Sequence, residues 1–354
     1  MTADIAVEVH TNVETVPASQ WNDLVEQSPV GSVFHRTGWL RAVERGTDRQ
    51  SRHVVAFRDG SLVGLLPGFV GTLDTGVRVP TAFERFTPRE LVSSQPGFGG
   101  PLAVTDEPAV THRLIDGVRA ALDSDIWAHR IRAIDPGHVR AATVLDERGY
   151  TLSALTGQMV VDVDCPLEEV VARFSASRRR EIQQARKNGL TVTEVDPDRQ
   201  PIDAFYEYYT ELMDRLDAPR FPAAFVRGLA DHCGDRLQLL RVDSEGEAVG
   251  WHLNVLDEER DELHPYLAGY SADVDYHPAG VMHEHAIEYA SSEGYERYNI
   301  GESVADPADG GFVHKRQYGS RLVPVLTWER GIAPSRFAAY RIARRCYRAV
   351  QARR

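Results

Sequence analysis

The sequence predicts an α/β fold built from two related halves in tandem. In residues 190–328, short β-branched or aromatic runs alternate with stretches of helical apolar spacing, in the order β-α-α-β-β-β-α-β-loop-β. Residues 17–163 contain a shorter version of this order. Each half also has a hairpin of the same style, with turns at Asp59-Gly60 and Ser244-Glu245-Gly246-Glu247. The predicted domains are residues 1–164, residues 165–330 and a basic C-terminal helix over residues 331–354.

The first half combines two short helices, one clear hairpin and a long irregular stretch. Residues 17–46 predict two helices around an apolar link, with five core candidates: Trp21, Leu24, Phe34, Trp39 and Leu40. Residues 71–100 are rich in Pro, Gly and Thr, which predicts an irregular loop. The other predicted elements are a hairpin over His53–Val70, helices near 107–122 and 138–149, and strands near 126–134 and 158–164.

The second half places a basic helix ahead of a strand-turn-helix unit. We predict that Ser177 caps the basic helix and that Gly189 ends it. Glu262–Tyr270 is predicted as a buried strand, after which Pro278 opens a helix that Gly294 closes. The other predicted elements are helices over 166–174, 202–216 and 222–233, strands over 190–195, 236–242, 248–256, 295–300 and 322–328, and a polar loop over 311–319.

Composition and charge narrow the classes of function. The chain has 354 residues and a net charge of −12; residues 331–354 contain seven arginines and no acidic residue, so the rest of the chain carries −19. Such an acidic body argues against binding to DNA. No run of 18 apolar residues predicts a membrane span. The N-terminus lacks a signal-peptide core, and the three cysteines show neither disulfide nor metal spacing, so we expect a cytoplasmic protein.

Three stretches of the second half are similar in order and spacing to the motifs of one known family. They are the basic helix and its following strand over 179–190, the strand, turn and helix start over 267–282, and the pair 299–302 with Val313–Gly319. The last stretch is similar to a Phe-Lys-x-x-(Phe/Tyr)-Gly signature, with His314 in place of Phe. The chain thus resembles the FemAB-like and BioF2-like acetyltransferase-domain family of the GNAT acyltransferase superfamily.

This resemblance implies two tandem GNAT-like domains with mixed central sheets. It also implies an acyltransferase that acts on an amino group of a small molecule or cell-envelope precursor, with acetyl-CoA or another acyl-CoA as donor substrate. The common acetyl-CoA loop pattern Gln/Arg-x-x-Gly-x-Gly/Ala is absent, since residues 275–280 read Asp-Tyr-His-Pro-Ala-Gly. Two alternatives therefore stay open: a Fem-type peptidyltransferase that uses aminoacyl-tRNA, and a non-catalytic ligand-binding module with the same fold.

Lysine usage points to Lys315 as a catalytic candidate. Among 40 basic side chains only Lys187 and Lys315 are lysine, which indicates a position where a compact ammonium matters. Its predicted role is to stabilise a phosphate or a developing oxyanion, against the alternative of a solvated loop lysine. Glu302 is the candidate general base, or else a surface carboxylate. Tyr318 is the candidate proton donor to the leaving group, or else a packing residue.

The binding candidates lie on the two helices of the second half. A helix start can bind a phosphate on its backbone N–H groups, which predicts a donor site over six consecutive residues: Pro278, Ala279, Gly280, Val281, Met282 and His283. The predicted substrate-binding residues are Arg179, Arg180, Lys187 and Tyr270. For the residues of the basic helix, the alternative is that their charged side chains only face solvent.

A histidine pair and the C-terminal helix suggest a metal site and a membrane contact, and each also has a simpler explanation. His283 and His285 lie two positions apart and so point to different sides of a helix, which excludes a zinc site built on that pair, and we expect no metal. The basic C-terminal helix either docks on the acidic body or makes peripheral contact with an anionic membrane surface.

Overall fold

The computed structural model describes residues 4–73, 87–272 and 277–351. The chain forms two compact units. The first takes the chain up to Leu40, then Asp48–Ser153 and the segment from Leu326 onward, and the second takes Arg41–Thr47 and Ala154–Val325. These units do not divide the chain at the predicted domain boundaries 164/165 and 330/331. Those domain boundaries stay a prediction.

The first unit contains two β-sheets. Its strands are β1 Ile5–His10, β2 Gln50–Ser51, β3 His53–Arg58, β4 Ser61–Leu66, β5 Phe69–Thr72, β6 Arg89–Val92, β7 Leu102–Ala103, β8 Ile126–Ala133, β9 Thr151–Ser153 and β17 Leu326–Gly331. The sheet orders are β1-β3-β4-β7 and β2-β5-β6-β8-β17-β9. The helices are α1 Ala18–Gln27, α2 Thr37–Gly46 (which ends in the second unit), α3 Glu107–Gly117, α4 Ala142–Glu147 and α11 Pro334–Gln351.

The second unit is built on one mixed sheet. The sheet order is β11-β12-β13-β14-β15-β10-β16, with β14 and β15 parallel. Its strands are β10 Thr156–Asp162, β11 Thr191–Val195, β12 Leu237–Ser244, β13 Glu247–Asp257, β14 Glu262–Tyr270, β15 Arg297–Val304 and β16 Arg321–Pro324. Its helices are α5 Leu167–Ala172, α6 Ala176–Lys187, α7 Arg199–Arg215, α8 Ala223–Cys233, α9 Pro278–Ser292 and α10 Gly310–Arg316.

The two predicted hairpins are confirmed, and they share one turn geometry. Asp59 and Gly60 join β3 to β4 with φ of 53° and 77°, and Glu245 and Gly246 join β12 to β13 with φ of 53° and 88°. Positive φ at both central residues gives the turn whose twist matches that of paired antiparallel strands. Glycine at the second position makes this conformation accessible.

The core of each unit follows the predicted apolar pattern. The five core candidates of residues 17–46 are all buried. In the second unit, α9 contributes Met282, Ala286 and Ile287 to a core shared with strand residues such as Leu240 and Leu263. In the first unit, Phe337 and Tyr340 of α11 pack with Leu73 and Ala128, which supports docking of this helix on the protein.

Several predicted boundaries are wrong. Residues 71–100 are not a continuous irregular loop, because β6 lies within them and pairs with β5 and β8; residues 74–86 lie outside the described part of the chain. Ser175 caps α6 in place of Ser177, since its hydroxyl accepts a hydrogen bond from the Arg178 backbone N–H at 3.1 Å. The strand predicted over 322–328 is two strands that belong to different sheets, with the break at Val325.

Candidate functional site

The strands β14 and β15 separate toward their carboxyl ends. Their parallel pairing is limited to Glu262 with Arg297 and Leu263 with Tyr298, although each strand continues for at least six further residues. On their other sides, β14 pairs with β13 and β15 pairs with β10 along most of their lengths. The separation opens a wedge at the carboxyl ends of two parallel strands, which is where ligands bind in open α/β sheets.

Two helices start beside this wedge. After β14 the chain enters α9 at Pro278, and after β15 it enters α10 at Gly310. Because β14 and β15 are parallel, both helix starts follow strand ends at the same edge of the sheet. Backbone N–H groups at the start of a 15-residue helix such as α9 favour an anionic ligand. The predicted donor residues 278–283 form this first turn and a half, while residues 273–276 lie outside the described chain.

Lys315 lies in a helix and not in the predicted polar loop. Asp309 caps α10 by accepting a hydrogen bond from the Phe312 backbone N–H at 2.9 Å. The Lys315 Nζ donates to the backbone carbonyl of Glu302 at 2.6 Å, so the ammonium is held at the end of β15. Burial lowers the pKa of Lys315 below its ordinary value, although Glu302 and Asp309 oppose that shift.

A glycine in the left-handed backbone region lies beside the Lys315 ammonium. Gly301 has a φ of +93°, and a Cβ added there would lie 3.6 Å from the Lys315 Nζ. A non-glycine residue would be strained in this conformation. Glu302 lies within β15, whereas the strand predicted over 295–300 ends before it. Its carboxylate accepts a hydrogen bond from the Thr156 hydroxyl of the neighbouring strand β10.

Tyr318 is buried in the second unit. The Arg178 guanidinium lies 4.6 Å from the centre of the Tyr318 ring, and the His283 ring centre lies 4.7 Å from it. None of the described residues offers a hydrogen-bond partner to the Tyr318 hydroxyl. Burial raises the pKa of Tyr318 well above its ordinary value, with Arg178 acting in the opposite direction. The phenol therefore stays protonated and retains a proton to donate.

Tyr318 belongs to a cluster of buried histidines and tyrosines. The Tyr270 hydroxyl is hydrogen-bonded to His252, and the His283 Nδ1 lies 2.6 Å from the Tyr298 hydroxyl. The rings of His252 and His283 are 5.0 Å apart. Burial lowers the pKa of His252 to about 3 and that of His283 well below its ordinary value. Both imidazoles are therefore neutral at physiological pH.

This cluster contains predicted and missed residues. Tyr270, Tyr318 and His283 are predicted site residues. The prediction for His283 concerns its backbone N–H group, whereas the structure places its side chain in the cluster. His252 and Tyr298 were missed, because they lie on β13 and β15 and only the sheet order brings them together. A buried polar residue within an apolar strand is the one signal in the sequence that points to them.

The basic helix α6 divides its arginines between different tasks. Arg180 and Lys187, predicted to bind substrate, lie exposed. One Arg179 nitrogen donates to the backbone carbonyls of Ala172 and Phe174 at 2.8 Å and 3.0 Å, which stabilises the end of α5. The buried arginine is Arg178, which was not among the candidates. Substrate binding by the other three stays a prediction.

The described residues contain no group of three or more His, Cys, Asp or Glu side chains placed to hold a metal ion. Glu284, between His283 and His285, forms an ion pair with Arg186 at 2.8 Å. Within the same described ranges, no helix is long and apolar enough to cross a membrane.

Comparisons with known proteins agree with this geometry. Residues 172–316 match the family model described as an acetyltransferase (GNAT) domain. Among solved structures, FemX is 14% identical over 92% of this chain and 98% of its own, with a TM-score of 0.68. L-PGS from Bacillus licheniformis is 14% identical over 93% and 97%, with a TM-score of 0.60. A tandem GNAT protein from the clavulanic acid biosynthesis pathway is 12% identical over 93% and 98%, with a TM-score of 0.53. No curated protein sequence matches the chain.

Residues 172–316 are therefore similar to a GNAT acetyltransferase domain. The resemblance to FemAB-like GNAT proteins and the predicted α/β class with tandem GNAT-like domains and mixed sheets are confirmed. The similarity to the solved structures is one of fold.

Proposed function

We propose that this protein is an acyltransferase that moves an acyl group from acyl-CoA to an amino group of a small molecule or cell-envelope precursor. The observation that supports this proposal best is the position of the Lys315 ammonium. It is held 2.6 Å from the Glu302 carbonyl at the end of β15, at the edge of the sheet where α9 also begins. A cation and a helix start at one edge suit a donor that carries phosphates and a carbonyl that develops negative charge.

The proposed reaction gives each candidate side chain one task. The neutral amine attacks the thioester carbon, a C–N bond forms and the C–S bond breaks. Lys315 and backbone N–H groups in the wedge stabilise the oxyanion that develops on the carbonyl oxygen. Glu302 accepts the proton that the amine loses, and Tyr318 donates a proton to the leaving thiolate. Exchange with solvent returns both side chains to their starting states.

Calorimetry with acetyl-CoA and longer acyl-CoAs tests the donor. We expect at least one CoA ester to bind, since the start of α9 supplies donors for its phosphates. Failure of every CoA ester to bind at millimolar concentration would remove this proposal. The acceptor is then sought by comparing untargeted metabolite profiles with and without the gene.

A Fem-type transfer from aminoacyl-tRNA is the second candidate. The observation that favours it is the missing acetyl-CoA loop pattern at residues 275–280. In this case charged tRNA binds and CoA esters do not. A non-catalytic binding module differs from both, because it would bind a donor without transferring its acyl or aminoacyl group.

A further inference from the structure

Arg178 contacts residues on both sides of Lys315 in the sequence. Its guanidinium donates to the Gln317 side-chain carbonyl at 3.0 Å and to the His314 Nδ1 at 3.2 Å, and it lies 4.6 Å from the Tyr318 ring centre. The same guanidinium forms an ion pair with Glu181 at 2.8 Å within α6. The side chain is only 5% exposed. Arg178 thus links α6 to His314, which directly precedes the lysine on α10, and to Gln317, two positions after it.

The segment it contacts needs such support. The helix α10 has seven residues and begins with two glycines, and a helix this short is marginal by itself in water. A planar guanidinium can donate to several acceptors and stack on a ring at once, which a lysine ammonium cannot. Arg178 therefore provides a geometry as well as a charge.

We propose that Arg178 is a positioning residue for the proposed acyl transfer, which orients α10 and Tyr318 so that the Lys315 ammonium and the Tyr318 hydroxyl serve one reaction centre. This inference rests on the proposed function. The charge of Arg178 adds to the effect, because it lowers the pKa of Tyr318 against the effect of burial and so eases proton donation.

Lysine labelling tests the positioning without any assay of activity. The chain contains two lysines. Reductive methylation followed by mass spectrometry therefore measures the extent of labelling of Lys315 relative to that of the exposed Lys187 in one sample. We expect Arg178→Met to raise the Lys315/Lys187 labelling ratio several-fold, because α10 loses its contacts with α6. Arg180→Met removes an exposed arginine two positions away and should leave the ratio unchanged. An unchanged ratio in folded Arg178→Met would overturn the proposal.

Kinetics then separate positioning from general packing. With an acyl-CoA that binds by calorimetry, we expect Arg178→Met to lower kcat by about 10²-fold and to leave the Kd of that acyl-CoA unchanged. Added guanidinium should partly restore the kcat of Arg178→Ala. Arg178→Lys should stay impaired, because the paired N–H donors of a guanidinium and its plane, which stacks on the Tyr318 ring, are both required. A loss without guanidinium rescue, or a loss confined to donor Kd, contradicts the proposal.

Two controls keep the outcomes distinct. If Arg178→Met does not fold, as judged by its thermal midpoint, Gln317→Leu removes one acceptor of the same guanidinium and should raise the labelling ratio in the same direction. If no CoA ester reacts in the parent protein, the acyl-CoA proposal fails, and the labelling ratio still decides whether Arg178 holds Lys315.

Discussion

At the scale of single residues, the compact ammonium of Lys315 is the feature with the clearest kinetic consequence. Its Nζ lies 2.6 Å from the Glu302 carbonyl and beside Gly301, a space that suits an ammonium better than a wider planar guanidinium. We expect Lys315→Ala and Lys315→Arg to lower kcat by about 10²–10³-fold while the protein stays folded. The measurement is turnover with the acyl-CoA identified by calorimetry.

Lys187→Arg is the matched control, because Lys187 is exposed on α6 and a charge on a helix surface tolerates either cation, so turnover should be nearly unchanged. Normal turnover of Lys315→Arg would show that the site needs charge alone. Normal turnover of Lys315→Ala would show that the lysine takes no part.

The pH dependence of Lys315 can be predicted in sign. Because burial lowers its pKa below the ordinary value of 10.5, the ammonium loses its proton, and with it its stabilising charge, at a lower pH than an ordinary lysine. We expect kcat to fall on the alkaline side with a midpoint below 10.5. The residual activity of Lys315→Arg should lack this fall, since arginine stays charged. If kcat of the wild-type protein falls with a midpoint at or above pH 10.5, the fall does not report deprotonation of Lys315.

At the scale of elements, Gly280 allows α9 to pack against α6. A Cβ added at Gly280 would lie 3.0 Å from Ile182 Cγ1, which is tighter than most such contacts. The glycine is therefore explained by helix packing, in addition to any approach by a phosphate. We expect Gly280→Ala to lower the free energy of unfolding by about 1–3 kcal/mol, as measured by urea denaturation.

A double-mutant cycle checks this cause. The cost of Gly280→Ala should shrink in an Ile182→Ala background, because the clashing methylene is gone. Strict additivity of the two changes would show that the contact with Ile182 is irrelevant, and a loss of donor affinity without a loss of stability would favour direct contact with the phosphate.

Elements with local signals could be predicted, and elements defined by distant partners could not. Glu262–Tyr270 and the start of α9 at Pro278 match the predictions, because apolar runs, proline and glycine act within a few residues. The break at Val325 could not be predicted, since β16 pairs with β10 while the next strand pairs with β8 and β9. The placement of Lys315 in α10 differs from the predicted polar loop over 311–319, because a seven-residue helix with two glycines gives little helical signal and its cap, Asp309, is also a common loop residue.

At the scale of the whole molecule, the candidate site shows the same limit. Lysine rarity and the strand-turn-helix pattern pointed to Lys315, Tyr318 and the start of α9. The sequence cannot place Arg178 and His252 in the cluster, because α6 and β13 meet its other residues only after folding. Composition identified an unusual side chain, and tertiary packing decided which neighbours it has.

Buried histidines predict a loss of stability in acid. Burial lowers the pKa of His129 and of His252 to about 3, and that of His283 well below its ordinary value. The unfolded chain binds these protons near pH 6.5 and the folded chain does not, so stability is complete above pH 6.5 and declines below it. Each histidine contributes about 1.4 kcal/mol per pH unit in this window.

One buried carboxyl acts in the opposite direction. Burial raises the pKa of Asp257 to about 6. Between pH 6 and about 4 the folded chain therefore binds a proton that the unfolded chain does not, and the resulting gain in stability cancels roughly the loss due to one histidine. We expect the free energy of unfolding, measured with urea at pH 7, 6 and 5, to decline as the pH falls. In His252→Gln the slope of this decline should correspond to about one proton fewer. A flat profile for the parent protein between pH 6 and 5 would contradict the predicted neutral state of these imidazoles.

The position of β17 sets an order of events during synthesis. This strand lies between β8 and β9 in the first unit's six-stranded sheet, and it comes from residues 326–331. A ribosome therefore releases the sheet's N-terminal strands long before it makes the strand that joins β8 to β9. Until then the nascent chain carries an open β-edge at β8, which is a site for mispairing. Closure of that edge pairs residues that are about two hundred positions apart in the sequence, and such a contact is slow to form. The first half of the gene product thus completes its fold only after the second half has been translated.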